Sequence, residues 1–330
     1  MKLQKFPRFL AVVILFYAVI EILFKLDVVN GYLLHIINLS LIYVILATSL
    51  NLINGITGQF SLGHMGFAGV GAYVSAALST LVFKLSPSKP GDMLVFVGCI
   101  VAGGLAAAVV GLLIGFPSLR LKGDYLAIVT LGFGEIIRTA FNNLDVVGGP
   151  RGLLGIPKFS NFTTIIIASA LSVVVIRNLI QSSHGRAMLS IRENEVAAEL
   201  VGIDTTRYKV MAFTFGAFFA GIAGGLLAHL IQLAHPTQFG FIKSVEVLIM
   251  IYAGGVGSIT GSILAAFGLT FLSEGLRLGI RSLADATGLP IGGEWRMVIY
   301  ALLLIFIMLF RNEGLMGTKE SKIIELPEVE

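Results

Sequence analysis

Charge is scarce in this 330-residue sequence. Only 13% of its residues are Asp, Glu, Lys or Arg, and 56% are hydrophobic, whereas soluble domains carry about 25% charged residues. A water-soluble chain of this length could not hide so much apolar surface. The same composition excludes intrinsic disorder and collagen-like repeats. The one cysteine, Cys99, lies inside an apolar run, which excludes a disulfide framework and a thiolate metal cluster. No glycine immediately precedes a lysine, so the phosphate loop G-x-x-x-x-G-K-[ST] is absent, and any ATP must bind a partner. The five histidines, His35, His64, His184, His229 and His235, form no H-E-x-x-H. Gly255-Val-Gly257 is followed by Thr260 where a Rossmann fingerprint needs its third glycine. No catalytic residue, metal or cofactor is therefore expected. The net charge of +4 is spread over separate loops, leaving no basic stripe for nucleic acid.

What is present is a series of apolar runs, and a span needs about 20 such residues. The expected passes are 9–24, 32–53, 62–83, 93–116, 162–180, 210–233 and 296–310. To these we add an amphipathic run, 125–141, and a glycine-broken one divided into 245–256 and 260–278. The fold class is thus an all-α polytopic membrane protein of about ten passes, some short or re-entrant. All nine prolines fall in the proposed connections, where they break no helix. The basic start, Met1 to Arg8, runs into an apolar segment ending at Glu21 and Lys25 without a small-residue cleavage site, which reads as an uncleaved anchor. The dense basic loop 177–209 sets the orientation, with both termini cytoplasmic. Trp295 starts the last span, at the interface. Residues 1–317 form one transmembrane domain, and 318–330 a cytoplasmic tail.

The loop 181–209 is unusually polar. Leu189, Val196, Leu200 and Ile203 make one apolar stripe, Gly202 is a helix stop, and Asp204 can cap the next helix near Thr206. One short amphipathic helix over 186–202 is expected. Its polar face carries Glu193, Glu195 and Glu199, which anionic lipid would repel, so a groove on another protein suits it better than a headgroup layer.

Glu195-Val-Ala-Ala-Glu-Leu-Val-Gly202 resembles the EAA loop of ABC-importer permeases, and its surroundings, 185–209, look like branched-chain amino acid permeases of LivM type. The ordered segments Asn51-Leu-Ile-Asn-Gly-Ile-Thr-Gly-Gln-Phe-Ser-Leu-Gly-His64, 119–135, Gly148-Gly-Pro-Arg-Gly-Leu153, Gly254-Gly-Val-Gly-Ser-Ile-Thr-Gly261 and Leu309-Phe-Arg-Asn-Glu-Gly-Leu315 agree with it, over about residues 30 to 317. The resemblance implies a permease subunit in a bacterial or archaeal plasma membrane. It implies a heterodimer with a second, homologous permease, two cytoplasmic ATP-binding subunits and an external substrate-binding protein. It also implies alternating access driven through a coupling helix, for which Arg186, Arg192, Glu195, Ala198 and Gly202 are the candidates. Leucine, isoleucine and valine are the substrates by family; related permeases handle urea or a broader range of amino acids. A reading from another class, an ion-gradient-driven transporter, would need Glu135 as its carrier.

Polar residues at membrane depth belong against protein or water. Candidate pathway residues are Asn51, Asn54, Gln59, Ser61, His64, Thr130, Glu135, Ser258 and Thr260. The glycines interleaved with the first five, notably Gly63, Gly66 and Gly69, fit either tight helix packing or a lining segment. Glu135 with Arg138, and Lys243 with Glu246, have the spacing of local ion pairs. Ile56-Thr-Gly58 and Ile259-Thr-Gly261 follow glycine-rich breaks in both halves, which suggests an internal inverted repeat with the pathway between.

Overall fold

The computed structural model describes residues 6–87, 89, 91–118, 123–287, 314–317 and 320, with single positions 295, 298, 299, 302 and 305. Apolar runs outside water leave backbone groups only intramolecular partners, and helices supply them. The helices are α1 (Phe6–Lys25), α2 (Gly31–Asn51), α3 (His64–Ala77), α4 (Asp92–Ser118), α5 (Asp124–Asn143), α6 (Phe162–Gln181), α7 (Ser183–Glu193), α8 (Glu195–Leu200), α9 (Thr205–Ile231), α10 (Phe241–Gly254) and α11 (Ile259–Thr287). Helices α2 and α3 each end in a π-helical turn, Leu52–Ile56 and Leu78–Val82.

Six stretches are long and apolar enough to cross a membrane: Gly31–Ile56, His64–Val82, Asp92–Phe116, Phe162–Gln181, Thr205–Ile231 and Ile259–Ile280. The chain is a multi-pass membrane protein. The expected ten passes are therefore met by six among the described residues. α10 has 14 residues, about 21 Å of helix against a hydrocarbon core of about 30 Å. α5 is amphipathic and keeps its Glu135 and Arg138. The run 296–310 lies almost wholly outside the described residues, as does the tail 318–330 apart from Glu320.

Among the described residues, two prolines sit inside α-helices after all, each at an end: Pro7 in the first turn of α1 and Pro117 in the last turn of α4. Near a helix start the missing N–H is no loss. The inverted repeat is not seen in the segments that suggested it. Ile56-Thr-Gly58 unwinds out of a π-turn, with Gly58 at φ +69°, whereas Ile259-Thr-Gly261 is the first turn of α11.

α9 runs through the centre against α2, α3 and α4. Its approach to α3 is close because a Cβ on Gly71 would strike the Gly221 backbone, and one on Gly224 the backbone of Ala68. The face of α3 carrying Gly63 and Gly66 lies on Thr130 and Gly134 of α5, so these glycines serve tight packing. The opposite requirement shapes α4. It exposes Leu94, Val97, Val101, Leu105, Val109 and Leu112 at helical spacing, an apolar stripe suited to lipid.

The connections sort to two ends. Leu153–Leu154 (β1) pairs antiparallel with Leu233–Ala234 (β2), and Tyr32 meets Glu274 and Arg277, at one end. The connections 52–63 and 255–258, the segment α7–α8 and Gly314–Gly317 gather at the other.

Candidate coupling site at the glycine-rich breaks

The expected single helix over 186–202 is two helices. Asn194 stands extended at φ −160° and ψ 107°, and its Oδ1 accepts from the Ala197 N–H at 3.0 Å, so it caps α8 and separates it from α7. The apolar stripe reads through this position because a cap inside a periodic pattern leaves the period intact. Gly202 closes the pair at φ +87°, a left-handed conformation that glycine adopts without strain. Asp204 then caps α9, its Oδ1 accepting from the Arg207 N–H at 3.0 Å.

Within α8, Ala198 is 3% exposed and turned into the chain. Glu195 takes an ion pair from Lys209 Nζ at 2.7 Å, and Glu199 accepts from the Thr205 hydroxyl at 2.9 Å. Both anchors belong to the first turns of α9, so α8 and α9 are tied together. The outward side is apolar: Val196, Leu200 and Val201 are all exposed, Leu200 at 83%. Arg186 and Gly202 are exposed.

Arg192 points the other way. Its Nη1 donates to the carbonyl of Gly55 at 3.0 Å, while Nε and Nη2 hold Glu193 at 3.0 and 2.6 Å. A Cβ on Gly58 would lie 3.1 Å from Arg192 Cγ, and one on Gly257 would lie 3.0 Å from its Nη1. One arginine of α7 therefore contacts both glycine-rich breaks.

The breaks also contact each other. The Asn51 side chain, 1% exposed, donates to the Ser258 carbonyl at 2.9 Å and to Ser262 Oγ at 3.0 Å, and accepts from the Gly257 N–H at 2.9 Å. Gly55 lies so near that a Cβ would collide with Asn51 and with the Gly257 backbone. Ser258 Oγ accepts from the Gly261 N–H, capping α11 from within. The Glu320 carboxylate completes that cap, accepting from the Ile259 and Thr260 N–H groups and the Thr260 hydroxyl, where a negative charge suits a helix start. Leu315 and Met316 donate backbone bonds to Ala253 and Gly254.

The other pathway candidates divide. Asn54 Oδ1 accepts from the Ser61 N–H at 3.2 Å, but Asn54 Nδ2, both polar atoms of Gln59 and Ser61 Oγ are buried without a protein partner among the described residues. His64, wholly buried, meets Ser49 Oγ through Nε2 at 2.9 Å. Thr130 Oγ1 accepts from the Leu62 N–H at 3.0 Å and so ties the first break to α5. Glu135 stands apart from the breaks, held by Arg138 at 2.7 Å and by the Phe241 N–H at 3.0 Å. The structure thus joins Asn51, Arg192, Ser258 and Thr260 in one site and leaves Glu135 out. Sequence reasoning missed Lys209 and Glu320. A lysine near the start of an apolar helix signals a need for an acidic partner, whereas nothing local to Glu320 marks it as a cap. No group of three or more His, Cys, Asp or Glu side chains among the described residues could hold a metal ion.

Residues 32–308 match the family model described as branched-chain amino acid transport system / permease component. The chain is 36% identical over 316 residues to the high-affinity branched-chain amino acid transport system permease protein LivM of Escherichia coli K12, covering 85% of this chain and 69% of that protein. The LivM protein of Salmonella typhimurium is 35% identical with the same coverage. The permease protein LivH of Escherichia coli K12 is 24% identical over 304 residues, 86% of this chain and 94% of that protein. No solved structure matches.

Proposed function

This chain belongs to the branched-chain amino acid transport permease family, and from that premise we propose that it is the membrane subunit of an ATP-driven importer of leucine, isoleucine and valine. It works beside a second, homologous permease, with two ATP-binding subunits on the cytoplasmic side and a substrate-binding protein outside. Both termini are cytoplasmic, the membrane is the bacterial or archaeal inner membrane, and residues 1–317 act as one permease domain.

The observation that carries this reading is the two-sidedness of α7–α8. Outward it offers Val196, Leu200 and Val201, an exposed apolar patch beside acidic residues, suited to a groove on a partner protein. Inward it holds the first break through Arg192 and Gly55. A partner ATPase that moves α8 moves α9 through Lys209, and moves the break through Arg192. Of the coupling candidates, Arg192, Glu195 and Ala198 act on the chain's own side of this joint, and Arg186 and Gly202 on its outer side. Asn51, Asn54, Gln59, Ser61, His64, Thr130, Ser258 and Thr260 form the cytoplasmic gate of the pathway. Polar groups buried without partners support this, since they lose least where the gate opens to water. Glu135, already held by two donors, supplies no free carboxylate for an ion-gradient mechanism.

The test is uptake of labelled leucine in cells with and without this gene, under a protonophore with ATP maintained. Gene-dependent uptake that persists supports the proposal. Uptake that collapses with the proton gradient would overturn it.

A further inference from the structure

On the far side of Asn51 from α7–α8, a cavity of about 190 Å³ lies between α2, α3, α9, α10 and α11. Tyr43, on its α2 wall, is eight residues before Asn51, or about 12 Å along the helix, so the cavity stands inside the membrane with the two breaks beneath it. Its walls differ in chemistry. On α10, Lys243 Nζ donates to both carboxylate oxygens of Glu246 at 2.9 and 2.8 Å. On α11, Glu274 lines the same space and is bonded to Arg277 and to the Tyr32 hydroxyl, each at 2.7 Å. The remaining lining is mixed: Leu39, Leu227 and Met250 give an aliphatic surface, and Tyr43, Thr270 and Ser273 carry hydroxyls.

Charged groups at this depth are costly and mark a site when they face a cavity. The volume is below the about 300–1,000 Å³ of pockets for drug-sized ligands, so the occupant is small. A molecule that meets both walls carries a cation and an anion close together and an aliphatic body. Urea is uncharged and has no aliphatic part, so it could hydrogen-bond to the pair but would neutralise neither charge and would leave the leucine and methionine surface unused.

We propose that this cavity is the site where the substrate pauses during translocation, and that it takes a zwitterionic α-amino acid with an aliphatic side chain. The ammonium group sits on Glu246, with Glu274 nearby, the carboxylate sits on Lys243, and the side chain lies against Leu39, Leu227 and Met250. Lys243 and Glu246 hold each other when the site is empty, so neither charge stands alone. This inference rests on the reading of the chain as an amino acid permease.

The experiment measures leucine uptake and ATP hydrolysis by the assembled transporter in proteoliposomes, for Lys243→Met, Glu246→Gln and the double variant. All three are expected to lower uptake at least tenfold, with hydrolysis stimulated by the loaded binding protein staying within twofold of the wild type. The double variant decides between a binding pair and a structural one. If the pair only holds α10 in shape, removing both charges leaves none unpaired and uptake recovers, which overturns the proposal. Leu39→Trp fills the cavity and keeps every charge, so it replaces the charge variants if they fail to assemble. It too should lose at least tenfold, and uptake at the wild-type rate would overturn the proposal. A wild-type transporter that moves urea but no aliphatic amino acid overturns the permease reading and this inference together. Wild-type leucine uptake left intact in the variants removes the inference alone.

Discussion

The break after α2 and the break between α10 and α11 share a glycine-rich composition and lie against each other, yet their polar groups end differently. At 255–258 the N–H groups of Gly255, Gly257 and Ser258 all donate to acceptors within the protein. Gly257 donates to Asn51, the Ser258 carbonyl accepts from Asn51, and Ser258 Oγ and Glu320 together cap α11. At 54–61 the backbone is anchored at Gly55 and Ser61, but Asn54 Nδ2, the Gln59 amide and Ser61 Oγ have no protein partner among the described residues. A segment held by many hydrogen bonds loses several when it moves, and one with unplaced side-chain groups loses fewer. The second break is therefore the fixed side of the joint and the first its movable side, although the two look alike as strings of glycine.

The comparison breaks most severely at the contact point. In Gly55→Val the new side chain would collide with Asn51 and with the backbone of Gly257, which cannot rotate away. Overpacking of this kind costs about 1–3 kcal/mol or more, so little monodisperse protein should be recovered from the membrane in detergent. Asn51→Ala comes next. It removes two hydrogen bonds to the second break and one to Ser262 of α11, at about 0.5–1.5 kcal/mol each, and should lower the Tm clearly in a thermal melt. Ser61→Ala should have the smallest effect, at most about 0.5 kcal/mol, because its hydroxyl makes no bond within the protein to lose. A large drop in Tm for Ser61→Ala, or none for Asn51→Ala, would reverse the assignment of fixed and movable sides.

Much of this architecture was legible in the sequence, since apolar length alone finds the six long helices. Gly202 as a stop and Asp204 as a cap were readable because both act on their own helix ends. The split at Asn194 was not, because the apolar period runs straight through it. The expectation of about ten passes includes short runs such as α10, and six helices among the described residues are long and apolar enough to cross a membrane. The joint itself was only half legible. Glycine and polar residues marked both breaks, but the bond from Arg192 to Gly55 spans 137 residues and depends on how α7 lies on the bundle. The lining of the cavity comes from five helices, and the spacing of Lys243 and Glu246 says only that they pair.

The central claim is that Arg192 carries movement of α7–α8 into the first break. The most direct measurement is the number of ATP molecules hydrolysed per leucine moved, for the assembled wild-type transporter and for Arg192→Ala. Arg192 is partly exposed, and an ion pair in such a place contributes about 0–1 kcal/mol, so the variant should assemble. The prediction is that its ATP hydrolysis stays within twofold while uptake falls at least tenfold, raising the ratio by the same factor. An unchanged ratio, with uptake and hydrolysis either both intact or both reduced together, would contradict it.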